Sequence, residues 1–118
     1  MAETYSRLGA LTSTNSTTVG QVLLTATNPT IVSTVTVCNT AATAATYYLY
    51  LIPASGATAS TTYATATPAS ALVHGATLAA NDTVTLTLGL VLESTNNRLV
   101  ASANSTTVGF QAFGVTVS

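Results

Sequence analysis

The chain has 118 residues and a formal net charge of −1, and its charged residues are only Glu3, Arg7, Asp82, Glu93 and Arg98. A typical domain is about one quarter charged, so a charged fraction of 4% is an extreme composition. It excludes nucleic-acid binding, because neutralising phosphates requires several Lys or Arg side chains on one surface and this chain has two in total. The length predicts a single domain.

Small uncharged residues make up about half of the sequence, with 26 threonines, 20 alanines and 11 serines. Hydroxyl groups must therefore provide most of the polar surface that contacts water. Because charges are few, electrostatic repulsion between copies of the chain is weak. We expect a homo-oligomer or a subunit of a larger assembly. No apolar run approaches the length of a membrane span, and the N-terminus lacks a secretory signal pattern, so we expect no membrane association and assembly in the cytoplasm.

The first half of the chain predicts three strands after an N-terminal arm. We expect residues 1–18 to form the arm and residues 19–118 to form the domain. Strands are predicted at Gly20–Ala26, at Ile31–Asn39 and at Thr46–Ile52. In the second of these, Val35 and Val37 share one face, whereas Cys38 lies on the other. The third is apolar on both faces, which indicates a central strand or one covered by a partner.

The second half of the chain contains the most regular alternation. Val84, Leu86, Leu88 and Leu90 alternate with Thr or Gly, as expected for a strand with one buried face. Further strands are predicted at Thr61–Thr67, weakly, at Arg98–Ala103 and at Val108–Val117, and a tight turn is predicted at 79–82. Turn-forming residues separate these segments, and no window has helical periodicity. The sequence therefore predicts an all-β fold, an antiparallel β-sandwich or a jelly-roll-like single domain.

Residues that could support catalysis are few and scattered. His74 is the only histidine and Cys38 the only cysteine, and the three carboxylates fall near the terminus, in a turn and in a polar loop. We interpret Cys38 as a buried thiol and His74 as a loop or structural residue. An enzyme would require His74 to lie beside a carboxylate or Cys38. The sequence therefore predicts no enzyme, no cofactor and no metal site.

Tyrosines are the large amphipathic groups of the chain, and tyrosine is enriched at protein interfaces. The side chains of Tyr47 and Tyr48 must point to opposite faces of a strand. We expect one of them to pack in the core and the other to contact a partner. The alternative is that both are covered within the monomer. The candidate interface residues are Tyr5, Arg7, Tyr47, Tyr48, Tyr50, Tyr63, Glu93 and Arg98. Glu93 and Arg98 also form a candidate pair across a hairpin or across a subunit boundary.

The hexapeptide Asn-Ser-Thr-Thr-Val-Gly occurs at 15–20 and again at 104–109. Coincidence remains an alternative in a chain so rich in Thr and Ser. If the duplication is real, each copy is expected to be a turn that enters a strand.

Four segments carry a resemblance to a known family, in their residues and in their order along the chain. They are 33–49, which contains Thr-Val-Cys-Asn-Thr-Ala-Ala-Thr, then Pro53-Ala-Ser-Gly-Ala, then 79–90, which reads Ala-Ala-Asn-Asp-Thr-Val-Thr-Leu-Thr-Leu-Gly-Leu, and finally Phe110-Gln-Ala-Phe-Gly. Together they resemble small β-rich structural proteins of tailed bacteriophages, notably cyanophages.

The resemblance implies a non-enzymatic virion component. Because the chain shows one domain without a fibrous repeat, we expect a capsid cement or decoration protein, as a trimer, that bridges and stabilises major capsid protein subunits. The N-terminal arm would then reach a neighbouring subunit. The alternative is a module associated with the tail, baseplate or fibre, with a structural role or one in receptor or glycan binding.

Overall fold

The computed structural model describes residues 3–13, 20–26, 28–53, 71–92 and 97–117. They form eight strands: β1 (Glu3–Thr12), β2 (Gln21–Thr25), β3 (Thr30–Asn39), β4 (Ala45–Pro53), β5 (Ala71–Leu78), β6 (Thr83–Leu92), β7 (Asn97–Ala103) and β8 (Val108–Val117). β-branched threonine, valine and isoleucine are frequent in these segments and favour extended backbone. The protein is all-β in its described parts, as the sequence predicts.

Two antiparallel sheets of four strands pack face to face. Sheet 1 has the order β1-β8-β3-β6, and sheet 2 has the order β2-β7-β4-β5. The pairs β1·β8, β2·β7, β3·β6 and β4·β5 all form, so the chain folds as one long antiparallel hairpin that is rolled into two layers. This is the strand order of a jelly roll.

The core lies between the two sheets and consists of side chains that alternate along each strand. Val32, Val35 and Val37 of β3 face Leu49 of β4 and its neighbours, and all four are fully buried. Tyr47 reaches across from sheet 2 to Phe110 of sheet 1, with ring centroids 6.4 Å apart. Sheet 1 thus has one face toward the core and one outer face, which no other described strand covers.

Two strands differ from the sequence-based expectation. Glu3–Thr12, within the predicted arm, is strand β1 and pairs with β8 along its length, so the described part of 1–18 belongs to the sandwich. β5 was not predicted, because bulges at Leu72 and Gly75 interrupt its alternation and Gly75 has a φ of 69°. The remaining predicted strands agree within a few residues, except Thr61–Thr67, which lies outside the described residues.

The predicted turn at 79–82 joins β5 to β6, and Asn81 has a φ of 56° there. Asparagine tolerates this left-handed backbone better than most residues. The second hexapeptide copy forms the turn between β7 and β8, whereas the first lies mostly outside the described residues. No described segment forms a helix of the length and apolarity needed to cross a membrane.

Candidate interaction surface

An apolar row crosses the outer face of sheet 1 from one edge to the other. The strand register places Tyr5 beside Val115, Val115 beside Ile31, and Ile31 beside Val91. Tyr5 is 63% exposed, Val91 64% and Ile31 44%, and Val115 is half-buried. Strands lie about 4.8 Å apart, so the four side chains form a continuous apolar strip roughly 14 Å long. We call these four residues the apolar row.

Tyr5 is held across this face by hydrogen bonds. Its hydroxyl lies 3.1 Å from Ser33 Oγ, and Ser33 Oγ donates to the Phe113 carbonyl oxygen at 3.3 Å. Because Ser33 is on β3 and Tyr5 on β1, the tyrosine side chain crosses β8. Ser33 is available because it is the extra residue of a β-bulge between Val32 and Thr34. The exposed ring is therefore positioned rather than free to rotate.

The neighbouring rows on the same face carry hydroxyls and amides. In one row Thr34 lies between Phe113 and Thr87, and in the next row Thr36 lies between Gln111 and Thr85. Arg7 is the only charged residue among the side chains described in these four strands. The described side chains on this surface thus offer mainly apolar groups, hydroxyls and amides, whose contacts depend little on ionic strength.

A shallow groove of about 360 Å³ on sheet 1 overlaps these rows. Arg7, Thr36, Cys38 and Gln111 contribute to its lining. Cys38 is half-buried, and the sequence-based expectation of a buried thiol was wrong. The reason is the strand alternation itself, which puts Cys38 on the same outer face as Thr34 and Thr36.

His74 lies on the outer face of sheet 2, between two tyrosines. Tyr50 Oη is 2.6 Å from His74 Nδ1, and the Tyr48 ring meets the imidazole edge-on with centroids 5.2 Å apart. If Tyr50 donates this hydrogen bond, the neutral imidazole carries its proton on Nε2. Burial, and to a smaller extent the neighbouring Tyr48, raises the pKa of Tyr50. Neutral Tyr50 therefore supports the position of an exposed histidine.

His74 and Cys38, which the sequence analysis considered as a catalytic pair only to set aside, lie on different sheets. His74 is on sheet 2, whereas Cys38 is on the outer face of sheet 1, so the sandwich lies between them. Among the described side chains, His74 forms a hydrogen bond with Tyr50. Within the described ranges, no three His, Cys, Asp or Glu side chains form a group that could hold a metal ion.

The predicted interface residues are distributed over three environments. Tyr5 and Arg7 are exposed on sheet 1, whereas Tyr48 and Arg98 are half-buried on sheet 2. Tyr47 is buried in the core and Tyr50 is 4% exposed, so we remove both from the candidate contact set. Tyr63 and Glu93 lie outside the described residues. Sequence reasoning missed Ile31, Val91 and Val115, although their outward position in strands that alternate could have identified them.

A buried asparagine joins three loops at one end of the sandwich. Asn39 Nδ2 donates to the carbonyl oxygens of Thr43 at 2.8 Å and Ala79 at 3.3 Å. Its Oδ1 accepts from the Ala41 N–H and from Thr107 Oγ1, each at 3.1 Å. These partners belong to the β3–β4, β5–β6 and β7–β8 connections. Asn39 therefore fixes the loops at this end and is a structural residue that the sequence did not indicate.

Comparisons with known proteins give no relative. No family model matches the chain, no curated protein matches its sequence, and no solved structure matches its fold. A functional hypothesis therefore rests on the surfaces described above and on the resemblance noted in the sequence.

Proposed function

We propose that this chain is a structural protein of a bacteriophage virion, and that it cements the capsid by bridging major capsid protein subunits. The main observation in support of the proposal is the apolar row on the outer face of sheet 1. Among the described side chains of that face, one is charged. Exposed apolar strips framed by polar residues are typical of protein interfaces. The resemblance to small virion proteins and the jelly-roll order, which is common in viral coats, support the same proposal.

The composition suits a particle that must persist outside a cell. Ionic contacts weaken as salt rises, whereas apolar and hydroxyl contacts do so much less. A protein with five charged residues in 118 cannot depend on ionic contacts for its attachment. The proposal includes homo-oligomers on the shell, with the trimer expected from the sequence, and it includes no catalytic activity.

Cryo-electron microscopy of particles that contain the chain tests the location. We expect density repeated over the icosahedral shell, with the outer face of sheet 1 against capsid subunits. Density confined to the tail would overturn the cement function in favour of the tail or receptor-binding alternative.

Matched variants test the surface. Val91→Asp should greatly weaken rebinding to particles stripped of this chain, because the aspartate would be desolvated in the contact. Val22→Asp is the control, because Val22 is also exposed, at 41%, but lies on sheet 2. High salt should release neither the wild-type protein nor the control. Equal loss of binding in the two variants would count against the apolar row.

A further inference from the structure

The groove on the outer face of sheet 1 lies where two small residues face outward. Gly109 lies between Thr12 of β1 and Cys38 of β3 in one cross-strand row, and Ala10 lies opposite Gln111 in the next row. A Cβ at Gly109 would lie 3.9 Å from the closest atom of β1, so a side chain would have room there. The strand register therefore lowers the surface here, between the larger side chains that form the walls of the groove.

Arg7 is a cation at this groove without a partner among the described residues. It is exposed and contributes to the lining, and no described atom forms a hydrogen bond or an ion pair with its guanidinium. Asp82, the only carboxylate whose side chain the structure describes, lies next to β6, at the opposite edge of sheet 1 from β1. The Cα of Glu3 is about 13 Å from that of Arg7 along β1. Arg7 is therefore available to an acceptor on another molecule.

Docking of the apolar row would bring Arg7 into the contact. Arg7 and Tyr5 are two residues apart on the outer face of β1, about 7 Å along the strand, so a partner surface that covers Tyr5 also removes water from Arg7. A guanidinium stays protonated in proteins, so the charge cannot be lost. Because desolvation of an unpaired charge is costly, a partner that binds this face well must supply a counter-ion.

We propose that the capsid surface bound by this face presents the carboxylate of an Asp or Glu side chain, which enters the groove and pairs with Arg7. This inference rests on the proposed function, because it names a chemical group on the proposed partner. A guanidinium and a carboxylate fit each other through two parallel hydrogen bonds. The Thr36 hydroxyl and the Gln111 amide line the same groove and can donate to the remaining lone pairs of the carboxylate.

One enclosed ion pair agrees with the expected resistance to salt. The apolar row surrounds the pair on one side, and an ion pair that is shielded from solvent is screened less than an exposed one. Charged pairs in protein interfaces chiefly determine the orientation and the choice of partner. The two parts of the face thus have separate roles: the apolar row supplies affinity, and Arg7 sets the position of the partner.

Rebinding to particles stripped of this chain tests the pair. Arg7→Met keeps much of the side-chain length and removes the charge, so it leaves the partner carboxylate unpaired, and we expect the Kd to rise at least about tenfold. Arg7→Lys keeps the charge and should lose less. Circular dichroism should show the wild-type fold for both variants. Without a partner carboxylate, Arg7→Met removes only a desolvation cost, so binding as tight as that of the wild-type protein, or tighter, would overturn the inference.

Cross-linking identifies the acceptor. The sequence contains no lysine, so Arg7→Lys introduces the only side-chain amine in the chain. A carbodiimide joins amines to carboxylates in contact, and mass spectrometry should find position 7 linked to an Asp or Glu of a capsid subunit. Val22→Lys is the matched control, because Val22 is exposed on sheet 2 and should give no such link. The wild-type protein gives the baseline from any α-amino group.

The two experiments separate this inference from the function on which it rests. Absence of the link in particles that bind the Arg7→Lys variant would overturn the carboxylate partner and leave the cement function intact. Wild-type protein that does not rebind to stripped particles would overturn the cement function and the carboxylate partner together.

Discussion

Asn39 shows how one buried polar residue determines the geometry of a whole end of the sandwich. Its side chain is 1% exposed and bonds to three connections that are distant in sequence. An amide can donate two hydrogen bonds and accept two, so no other side chain of this size can replace it. The residue acts as a common anchor for loops that would otherwise be independent.

Asn39→Ala should lower the free energy of unfolding by about 3 kcal/mol, because it leaves several buried backbone groups without partners. Asn104→Ala is the control, since Asn104 is exposed and its Oδ1 accepts one hydrogen bond, from the Thr46 N–H. We expect a loss of about 1 kcal/mol there. Urea denaturation measures both values. Equal losses of unfolding free energy in the two variants would show that the hydrogen bonds of Asn39 to three loops add no stability beyond that of a single hydrogen bond.

At the scale of single residues, the sequence did not indicate the polar contacts that connect distant segments. The roles of Asn39 and Ser33 depend on partners about 40 to 80 residues away in the chain, which no local pattern contains. Tyr47 and Tyr50 look alike in the sequence, yet one packs in the core and the other bonds to His74.

The central strand β8 contains two glycines with different roles. A Cβ at Gly114 would overlap the Ile31 carbonyl oxygen on β3. A Cβ at Gly109 would lie 3.9 Å from the Leu11 carbonyl oxygen, which is an ordinary van der Waals contact. Gly114 therefore permits close approach of β8 and β3 beside the Ser33 bulge. Gly109 has no such requirement.

Gly114→Ala should destabilise the protein by about 3 kcal/mol or prevent folding, because β8 and β3 must separate to admit the methyl group. Gly109→Ala on the same strand should be neutral or stabilising by about 0.5 kcal/mol, because alanine has less backbone entropy to lose. Thermal unfolding followed by circular dichroism compares them. Similar midpoints for the two variants would contradict this account of the β8–β3 approach.

At the scale of elements, strands that keep a long run of alternation on one side of a bulge, such as β3 and β6, were predictable, whereas β1 and β5 were not. β6 alternates over most of its length and was located within two residues. In β1, the bulge between Arg7 and Gly9 changes which residues face inward, so no period of two extends through it. In β5, two bulges have the same effect. The apolar row was missed because its members are adjacent only after the strands pair.

At the scale of the whole molecule, the chain has five tyrosines and three side-chain carboxylates. The pH dependence of its stability is therefore of most interest at alkaline pH. Burial raises the pKa of Tyr47, and burial together with Tyr48 raises the pKa of Tyr50. Below about pH 10, both residues are neutral in the folded and the unfolded chain. Above it the unfolded chain loses protons first, so the free energy of unfolding should fall as pH rises through this range.

Denaturant titrations on either side of pH 10 measure this fall. The double variant Tyr47→Phe, Tyr50→Phe should show a shallower dependence, although its stability at neutral pH is reduced by loss of the bond to His74. A free energy that stays constant through this range in the wild-type protein would contradict the prediction.

The position of β8 between β1 and β3 has a consequence for synthesis. A ribosome releases the chain from its N-terminus, so β1 to β7 emerge while the central strand of sheet 1 is still missing. β1 has no neighbour in its sheet until β8 arrives, and β3 has only β6. Sheet 1 can therefore be completed only after translation has passed residue 117. Until then, the nascent chain exposes apolar segments that could aggregate.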